Sequence, residues 1–371
     1  MLLDLEATLV DITDLGELEH LWTDLQVCSD HSYFTSWGWI GCWLNQLPES
    51  LRPQALIVEN ADGVVGLGLI HRHRILHGQL IPSTALFLNE TGDPVYDSLT
   101  IEHNGFLAIR GDEAKVVETC IDFLCESDLD WDELFLSGAD AGAATDVATQ
   151  NLPGRLRRCV KRQKSCFVVD VAALRDSKGD YLASLSSNTR SQVRRAMRLY
   201  EEIGPLKITC VAGREETLAY YDRMKALHTS YWETRNEPGA FAHPFIDGFH
   251  RHLIETREAH GEIQLLHVTA GEQTIGYLYN FVHAGRVYNY QSGFQYMDNP
   301  KLKPGLVCHT LAIEFNRQHG ADVYDFLAGE GQHKQSLGKH STDMVWMVLQ
   351  RDRARFRVED LLRSVKRRCG L

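Results

Sequence analysis

The sequence predicts an α/β (α+β) fold of two lobes, each a mixed, mostly antiparallel sheet flanked by helices. The chain has 371 residues, which is enough for two domains of ordinary size. Three strand-like apolar runs, separated by short turns, occur once in each half. Apolar residues at helical spacing precede and follow each set of runs, so the same order of elements occurs twice.

The first half is predicted to begin with two amphipathic helices, followed by a three-stranded meander, a third helix and a short buried strand. An Asp62-Gly63 turn between two apolar runs is a strong hairpin signal. The predicted elements are residues 15–25, 37–47, 55–58, 64–70, 80–88, 113–125 and 133–136.

The second half repeats this order, with turns expected at Ala270-Gly271 and Ala284-Gly285. The repeat is one of pattern and not of residue identity. A junction near residues 150–170 divides the chain into lobes 1–155 and 156–371. The predicted elements are residues 181–202, 206–211, 215–231, 244–259, 263–269, 274–282, 286–294, 304–319 and 323–326.

Charge is distributed unevenly between the two halves. Residues 1–150 hold 5 Lys and Arg against 26 Asp and Glu, a net charge of −21. Residues 151–371 hold 33 against 24, a net charge of +9. This split predicts that the second half meets an anionic partner such as a nucleotide cofactor, RNA or an acidic membrane surface. The alternative is that the two lobes complement each other electrostatically.

Several protein classes are excluded by composition and motif. No apolar run reaches the length of a membrane-spanning helix, and the acidic N-terminus lacks the features of a secretory signal. The nine cysteines are scattered without a metal-binding spacing, which is typical of reduced thiols in a cytoplasmic protein. The motifs of nucleotide hydrolysis, of GxSxG hydrolases and of zinc sites are missing, so we expect no metal and no DNA partner.

The most informative segment is residues 288–334. A strand there ends in Gln291-Ser292-Gly293, a polar loop follows, and Lys303-Pro304-Gly305 begins a helix. Proline suits the first turn of a helix. The free N–H groups of a helix start can bind phosphate, and Lys301 and Lys303 would add positive charge beside them.

The second half carries an ordered set of short motifs. They are Ser186, Arg190, Arg194-Arg195, Arg198, His228, Trp232, Gly239-Ala240-Phe241, Pro244, Pro304-Gly305-Leu306, Gly320, Tyr324-Asp325-Phe326-Leu327, Gly329-Glu330 and His333-Lys334. Their order resembles the two-lobed branch of the GNAT-type acyltransferases that includes the CelD/BcsL-like and FemAB-like enzymes. The resemblance covers about residues 170–350, and the first 150 residues match only as a degenerate lobe.

The resemblance implies an acyltransferase that moves an acyl group from acyl-CoA, acetyl-CoA or a longer one, to a small-molecule amine or hydroxyl. The acceptor would be an amino sugar, an amino acid or a precursor of a cell-surface polymer. The cofactor would contact Gln291, Ser292, Lys303, Gly305 and Leu306. This segment departs from the usual (Q/R)-x-x-G-x-(G/A) loop because it keeps one glycine. Two alternatives stay open: FemAB-like aminoacyl transfer from tRNA, with an acyl carrier as a further donor, and a non-catalytic binding protein.

Three residues are candidates for catalysis. Asp325 ends a short apolar strand, where a carboxylate is a base, an anchor for the substrate amine, or a buried helix cap. By the resemblance, Lys334 would stabilise the oxyanion; otherwise it is a surface lysine. His228 lies on an apolar helix face and is a general base or a hydrogen-bonded core histidine.

Four further residues are predicted to bind substrate. Arg190 and Arg194 belong to an arginine stripe on one helix face, which suits phosphate or carboxylate groups or else pairs with the acidic lobe. Trp232 would line the acceptor pocket or the core, and Tyr290 would bind the substrate. The C-terminal residues 351–368 could form a basic amphipathic helix that touches a membrane or RNA, or a helix docked on the core.

Overall fold

The computed structural model describes residues 5–77, 81–150, 152, 156–177 and 179–357. The chain divides into two compact units. The first unit comprises Met1–Gln163 and Met344–Leu371, and the second comprises Lys164–Asp343. The second unit begins eight residues later than the predicted second lobe, which starts at residue 156. The C-terminal segment returns to the first unit.

The first unit contains two helices, a meander, a third helix and a closing strand, as the sequence predicts. Asp14 caps the first helix, because its carboxylate accepts from the Gly16 amide at 2.7 Å. The elements are β1 (Glu6–Asp11), α1 (Leu15–Val27), α2 (Trp37–Gln46), β2 (Gln54–Asn60), β3 (Gly63–His77), β4 (Ile81–Leu88), β5 (Leu107–Ala108), α3 (Glu113–Glu126), β6 (Glu133–Asp140) and α4 (Ala144–Ala148). Short 3-10 helices cover Tyr33–Thr35, Glu49–Leu51 and Asp97–Leu99.

The second unit follows the same order with more helices. Its last strand, like its first, crosses the boundary between the units. The elements are β7 (Leu156–Asp170), α5 (Val171–Asp176), α6 (Tyr181–Ser184), α7 (Ser187–Glu201), β8 (Leu206–Cys210), α8 (Arg214–Glu233), α9 (Pro244–Arg257), β9 (Ile263–Ala270), β10 (Gln273–His283), β11 (Arg286–Phe294), α10 (Pro304–Gln318), β12 (Val323–Ala328), α11 (Gln332–Leu337) and β13 (Lys339–Arg351). A 3-10 turn covers Glu258–His260.

Each unit contains a mostly antiparallel sheet with one parallel pair. The strand order in the first unit is β1-β2-β3-β4-β6-β13, and β4 pairs in parallel with β6. The order in the second unit is β7-β12-β11-β10-β9-β8, and β11 pairs in parallel with β12. In both units a helix connects the two parallel strands, α3 in the first and α10 in the second. The predicted fold class is therefore confirmed.

Helices pack on these sheets around buried apolar cores. In the first unit, the core is built from the meander, α3 and the inner face of β13. In the second unit, α7 and α10 contribute Val193, Ala196, Val307 and Ile313 to the core beside β10–β12. α8 crosses β11 so closely that a Cβ atom at Gly293 would lie 2.3 Å from the Met224 carbonyl oxygen. Only glycine allows this approach, which brings α8 against the end of β11.

Three sequence predictions need correction. The predicted helix 181–202 is two helices, because Ser186 is extended and caps α7 by accepting from the Thr189 amide at 3.2 Å. Residues 150–170 are predicted to form the junction between the lobes, yet Leu156–Asp170 form strand β7. Strands β1 and β13 were not predicted. Of the predicted basic C-terminal helix, residues 354–357 are helical, and residues 358–371 lie outside the described part of the chain.

Candidate active site

The central feature of the second unit is the point at which β11 and β12 separate. The two strands pair in parallel over three residues only, from Arg286–Val323 to Tyr288–Asp325. Beyond this point β11 continues to Phe294 alongside β10, and β12 continues to Ala328. The parallel pair therefore opens at its carboxyl end, where ligands of α/β sheets commonly bind.

The start of α10 follows directly from the free end of β11. Lys303 precedes the helix in the left-handed region, with φ of 45°, and no side chain caps the first turn. The Lys303 Nζ donates to the Gln192 Oε1 of α7 at 2.6 Å. Gly305 lies over the Phe294 ring, from which a Cβ atom would be 3.3 Å away. An uncapped helix start beside a lysine is a favourable place for a phosphate group.

Of the predicted cofactor residues, the structure places Gln291 and Ser292 on the open part of β11. Lys303, Gly305 and Leu306 lie at the α10 start. Gln291 and Ser292 pair with Tyr279 and Leu278 of β10. All five residues therefore belong to one strand–loop–helix unit, and their contact with a cofactor stays a prediction.

Asp325 is fully buried and is held by two donors. Its Oδ2 accepts from Arg286 Nη1 at 2.7 Å, and its Oδ1 accepts from the Leu327 amide at 2.7 Å. Leu327 is left-handed, with φ of 61°, a conformation that costs free energy for a branched residue and is stabilised here by that hydrogen bond. The geometry favours the interpretation that Asp325 positions the end of β12.

Lys334 acts on the same bend from the other side. Its Nζ donates to the carbonyl oxygens of Ala328 at 2.8 Å and of Leu327 at 3.3 Å. The ammonium group therefore lies at the open end of β12, where Gly329 has a φ of 133°. Asp325 and Lys334 thus both bond to the backbone of one short segment, residues 327–328, and a catalytic role for either stays a prediction.

His228 bonds to backbone groups through both ring nitrogens. Its Nδ1 lies 3.1 Å from the Ser292 carbonyl oxygen, and its Nε2 lies 3.3 Å from the Ala240 amide. Only the neutral tautomer with a proton on Nδ1 satisfies both contacts. Burial lowers the pKa of His228, although the bond to Ser292 opposes that shift. This arrangement favours the core-histidine interpretation over the general base.

Trp232 and Tyr290 lie on the α8 side of β11. The Trp232 ring covers Gly239 and is 6.0 Å from the His228 ring. Tyr290 packs against Phe281 and His250, with ring centroids 4.9 Å and 5.0 Å away. Both predicted acceptor contacts are consequently part of an aromatic layer between the sheet and helices α8 and α9.

The arginine stripe of α7 is directed away from the α10 start. Arg190 donates to the Ala183 carbonyl oxygen at 3.2 Å, and Arg194 lies 3.7 Å from Asp180. Gln192, which contacts Lys303, lies on a different side of the same helix. Arg195 follows Gln192 by three residues and therefore lies on the Gln192 side. The structure therefore does not bring Arg190 and Arg194 together with the cofactor residues.

Sequence reasoning missed a buried polar group on the α10 side of β12. The His309 Nδ1 is 3.1 Å from the Tyr324 hydroxyl, and its ring stacks on His333 at 5.5 Å. Burial, followed by the nearby His333 and Lys334, holds the pKa of His309 well below its usual range. Arg286 and Gln192 were missed as well. A lone histidine on a helix carries no spacing signal, and each of these three residues is identified only by its tertiary partner.

Comparison with known proteins gives this geometry a family. Residues 187–335 match the family described as the acetyltransferase (GNAT) domain. The chain carries a GNAT-type acetyltransferase domain. That domain lies within the second unit and includes the open strand pair, the α10 start and Lys334. The predictions of family and of an acyltransferase enzyme are thereby confirmed. No curated protein matches the chain by sequence.

Solved structures resemble the chain over almost its whole length. FemX matches with a TM-score of 0.59 at 11% identity, covering 94% of this chain and 97% of that one. The C-terminal domain of a putative lysylphosphatidylglycerol synthetase from Agrobacterium fabrum matches with a TM-score of 0.54 at 10% identity, covering 95% and 96%. L-PGS from Bacillus licheniformis matches with a TM-score of 0.53 at 8% identity, covering 93% and 94%. At these identities the likeness shows a shared fold.

The described residues contain neither a metal-binding cluster nor a membrane-spanning helix. No group of three or more His, Cys, Asp or Glu in the described ranges could hold a metal ion. Within the same ranges, none of the helices is both long and apolar enough to cross a membrane.

If Asp325 positions the end of β12, replacing it will destabilise the fold. We expect Asp325→Asn to lower the free energy of unfolding by about 2–4 kcal/mol, because Arg286 then loses a buried charged partner. Asp322→Asn is the matched control, since its exposed pair with Arg175 should contribute less than about 1 kcal/mol. Urea denaturation measures both variants, and an equal effect of the two would contradict the positioning role.

The neutral His228 predicts a pH dependence of stability. Because its pKa is lowered in the folded state, the unfolded chain binds the proton more readily, so stability is complete above pH about 6.5 and falls below it. His228→Gln keeps a side-chain donor but does not titrate, so its free energy of unfolding should fall less between about pH 7 and about pH 5. His260→Gln, at an exposed turn, serves as the control. Identical pH profiles for His228→Gln and the unaltered protein would show that His228 is not buried in its neutral form.

Proposed function

We propose that the GNAT domain of this chain transfers an acyl group from acyl-CoA to an amine or hydroxyl of a small acceptor. The observation that carries the proposal is the parallel pair β11–β12, which opens directly at the uncapped start of α10. A pantetheine-like chain can pair with strand edges in such an opening, while phosphate groups meet the helix start. Acetyl-CoA or a longer acyl-CoA fits this description equally well.

In the proposed reaction, the acceptor's neutral amine or hydroxyl attacks the thioester carbonyl and a tetrahedral oxyanion forms. The C–S bond then breaks, and the proton that the acceptor loses passes to the departing thiolate, which leaves as the free thiol. Lys303 and the amides of the α10 start would hold the pyrophosphate. Lys334, at the end of β12, would stabilise negative charge that develops on the oxyanion or the thiolate. Asp325 and His228 would act as positioning residues, one for the β12 bend and the other for the Ser292 carbonyl.

Aminoacyl transfer is a second candidate function. It is favoured by the similarity to FemX and to a putative lysylphosphatidylglycerol synthetase, whose name states an aminoacylated product. The net charge of +9 over residues 151–371 would suit an RNA-borne donor. In this reading the same open strand pair would receive the aminoacyl end of tRNA. Either donor is consistent with a cytoplasmic location, which we include in the proposal.

Donor binding separates the two candidates. Thermal shifts measured with acetyl-CoA, longer acyl-CoAs and bulk tRNA should show stabilisation by an acyl-CoA, since a ligand that binds only the folded protein raises its melting temperature. Stabilisation by tRNA alone that becomes weaker in added salt would instead support aminoacyl transfer. No thermal shift with any donor would contradict both candidate functions.

Lys303 provides a test of the proposed phosphate site. Lys303→Gly removes the ammonium group and also relieves the left-handed strain, so a loss of binding cannot be attributed to a distorted loop. We expect the affinity for acyl-CoA to fall about tenfold. Lys301→Gly, two residues earlier in the same exposed loop, should change it less than about threefold. Calorimetric titration distinguishes the two, and equal losses would indicate only a general charge effect.

Lys334 provides a test of the chemical step. We expect Lys334→Ala to lower kcat by about a hundredfold with a smaller change in KM, because the proposed charge stabilisation occurs mainly in the transition state. Lys339→Ala, at the exposed start of β13, is the control and should retain kcat. Steady-state kinetics with an accepted acyl-CoA measures both, and a Lys334→Ala variant with unchanged kcat would exclude this role.

A further inference from the structure

A groove in the first unit lies at the amino ends of its parallel strands, β4 and β6. It has a volume of about 600 Å³. Its floor is formed by the starts of β4 and β6, and its walls come from β3 and the segment after β13. The lining residues include Arg74, Thr84, Asp130, Asp132, Arg353 and Arg355. All of them belong to the first unit, so the groove is separate from the GNAT domain.

Asp132 anchors the positive side of the groove. The carboxylate is nearly fully buried, and its Oδ2 accepts from the Thr84 amide at 2.9 Å. Its Oδ1 is 3.3 Å from Arg353 Nε and also contacts Arg355 Nη2. One buried carboxylate therefore orients two guanidinium groups that line the groove, which reduces the entropy that each would lose on binding a ligand.

The third arginine approaches from the other wall. Arg74 is exposed on β3, directly across from Thr84 in the strand register, and it forms no ion pair among the described residues. The Arg355 Nε is buried and has no hydrogen-bond partner in the described part of the chain. A buried guanidinium N–H without an acceptor is costly, and an oxygen of a bound anion would satisfy it.

The position of these arginines is notable because residues 1–150, which form most of the first unit, are acidic. Residues 1–150 carry a net charge of −21, and they include only 5 Lys and Arg. Arg353 and Arg355 come from the basic second half of the sequence and reach the first unit through β13. The groove thus concentrates positive charge in a region whose overall field would repel anions, so binding there depends on direct contacts with the arginines.

We infer that this groove binds a ligand through a phosphate group held by Arg74, Arg353 and Arg355. Planar guanidinium groups make paired hydrogen bonds to phosphate oxygens, and three of them provide donors for a dianionic group. Exposed Asp130, 3.7 Å from Arg353, lies at the edge of the groove and would disfavour a second anionic group on that side. The phosphate could belong to a soluble molecule or to a lipid headgroup.

Two experiments on the full-length protein test the inference. The first is titration with pyrophosphate and with inorganic phosphate. The second is sedimentation with phosphatidylcholine vesicles, with and without phosphatidic acid. We expect Arg74→Gln to weaken binding about tenfold or more, because it removes a charge-assisted contact without leaving a carboxylate unpaired. Arg72→Gln is the matched control, with the same charge change two residues away on an exposed position of β3 outside the groove. It should weaken binding less than about threefold.

Pyrophosphate can also bind the α10 start, so each titration is repeated with the Lys303→Gly variant. Binding that persists in this variant and still depends on Arg74 takes place in the groove. Binding of the soluble phosphates supports a soluble ligand, and binding of phosphatidic acid vesicles alone supports a lipid headgroup. No Arg74-dependent binding of any probe, or equal effects of Arg74→Gln and Arg72→Gln, would overturn the inference.

Discussion

The organisation of the GNAT domain depends on one buried carboxylate. Asp325 joins β11 to β12 at the last residue before they separate, because it accepts from Arg286 of β11 and from the Leu327 amide of its own strand. The second bond stabilises the left-handed Leu327, which lies where β12 no longer pairs with β11, and two carbonyl oxygens there accept from Lys334. The opening of the strand pair and the position of the ammonium group therefore have a common cause.

The first unit shows how the same architecture can lose its opening. Its parallel strands β4 and β6 pair as far as Phe87 and Phe135, whose rings stack 4.5 Å apart. Beyond them, the Asn104 amide donates to the Gly138 carbonyl oxygen, and a Cβ atom at Gly138 would lie 2.6 Å from the Ile101 carbonyl oxygen. The chain's own loop thus occupies the edge that β12 leaves open, which supports placing the proposed reaction in the second unit alone.

Sequence pattern predicted the elements whose signals are local. Meander turns, the Pro304 helix start and the strand 286–294 need only neighbouring residues to be recognised. Strand β7 was not predicted, because its exposed basic residues are typical of a solvated segment and its partner strands lie far away in sequence. Helix 181–202 was predicted as continuous because helical spacing persists through Leu185, whereas the Ser186 cap that interrupts it is a single side-chain bond.

The residues of the candidate site also differ in how far local sequence predicts them. Lys303 and Gly305 could be placed at a helix start because a helix start has a sequence signal. The direction of the α7 arginines, in contrast, depends on which side of the helix faces α10. His228 and Asp325 were recognised as unusual polar residues, but their roles depend on partners at Ser292, Ala240 and Arg286 that no spacing reveals. Local chemistry identifies candidates, and tertiary hydrogen bonds decide between catalysis and positioning.

The electrostatics around Lys334 connect these observations to the proposed chemistry. Burial and then the Lys334 charge lower the pKa of His333, and His309 is shifted in the same direction. The two stacked rings are consequently neutral near pH 7. An ammonium group beside neutral polar groups stabilises a transient anion by direct electrostatic attraction. We therefore propose charge stabilisation, and not proton transfer, as the role of Lys334 at the end of β12.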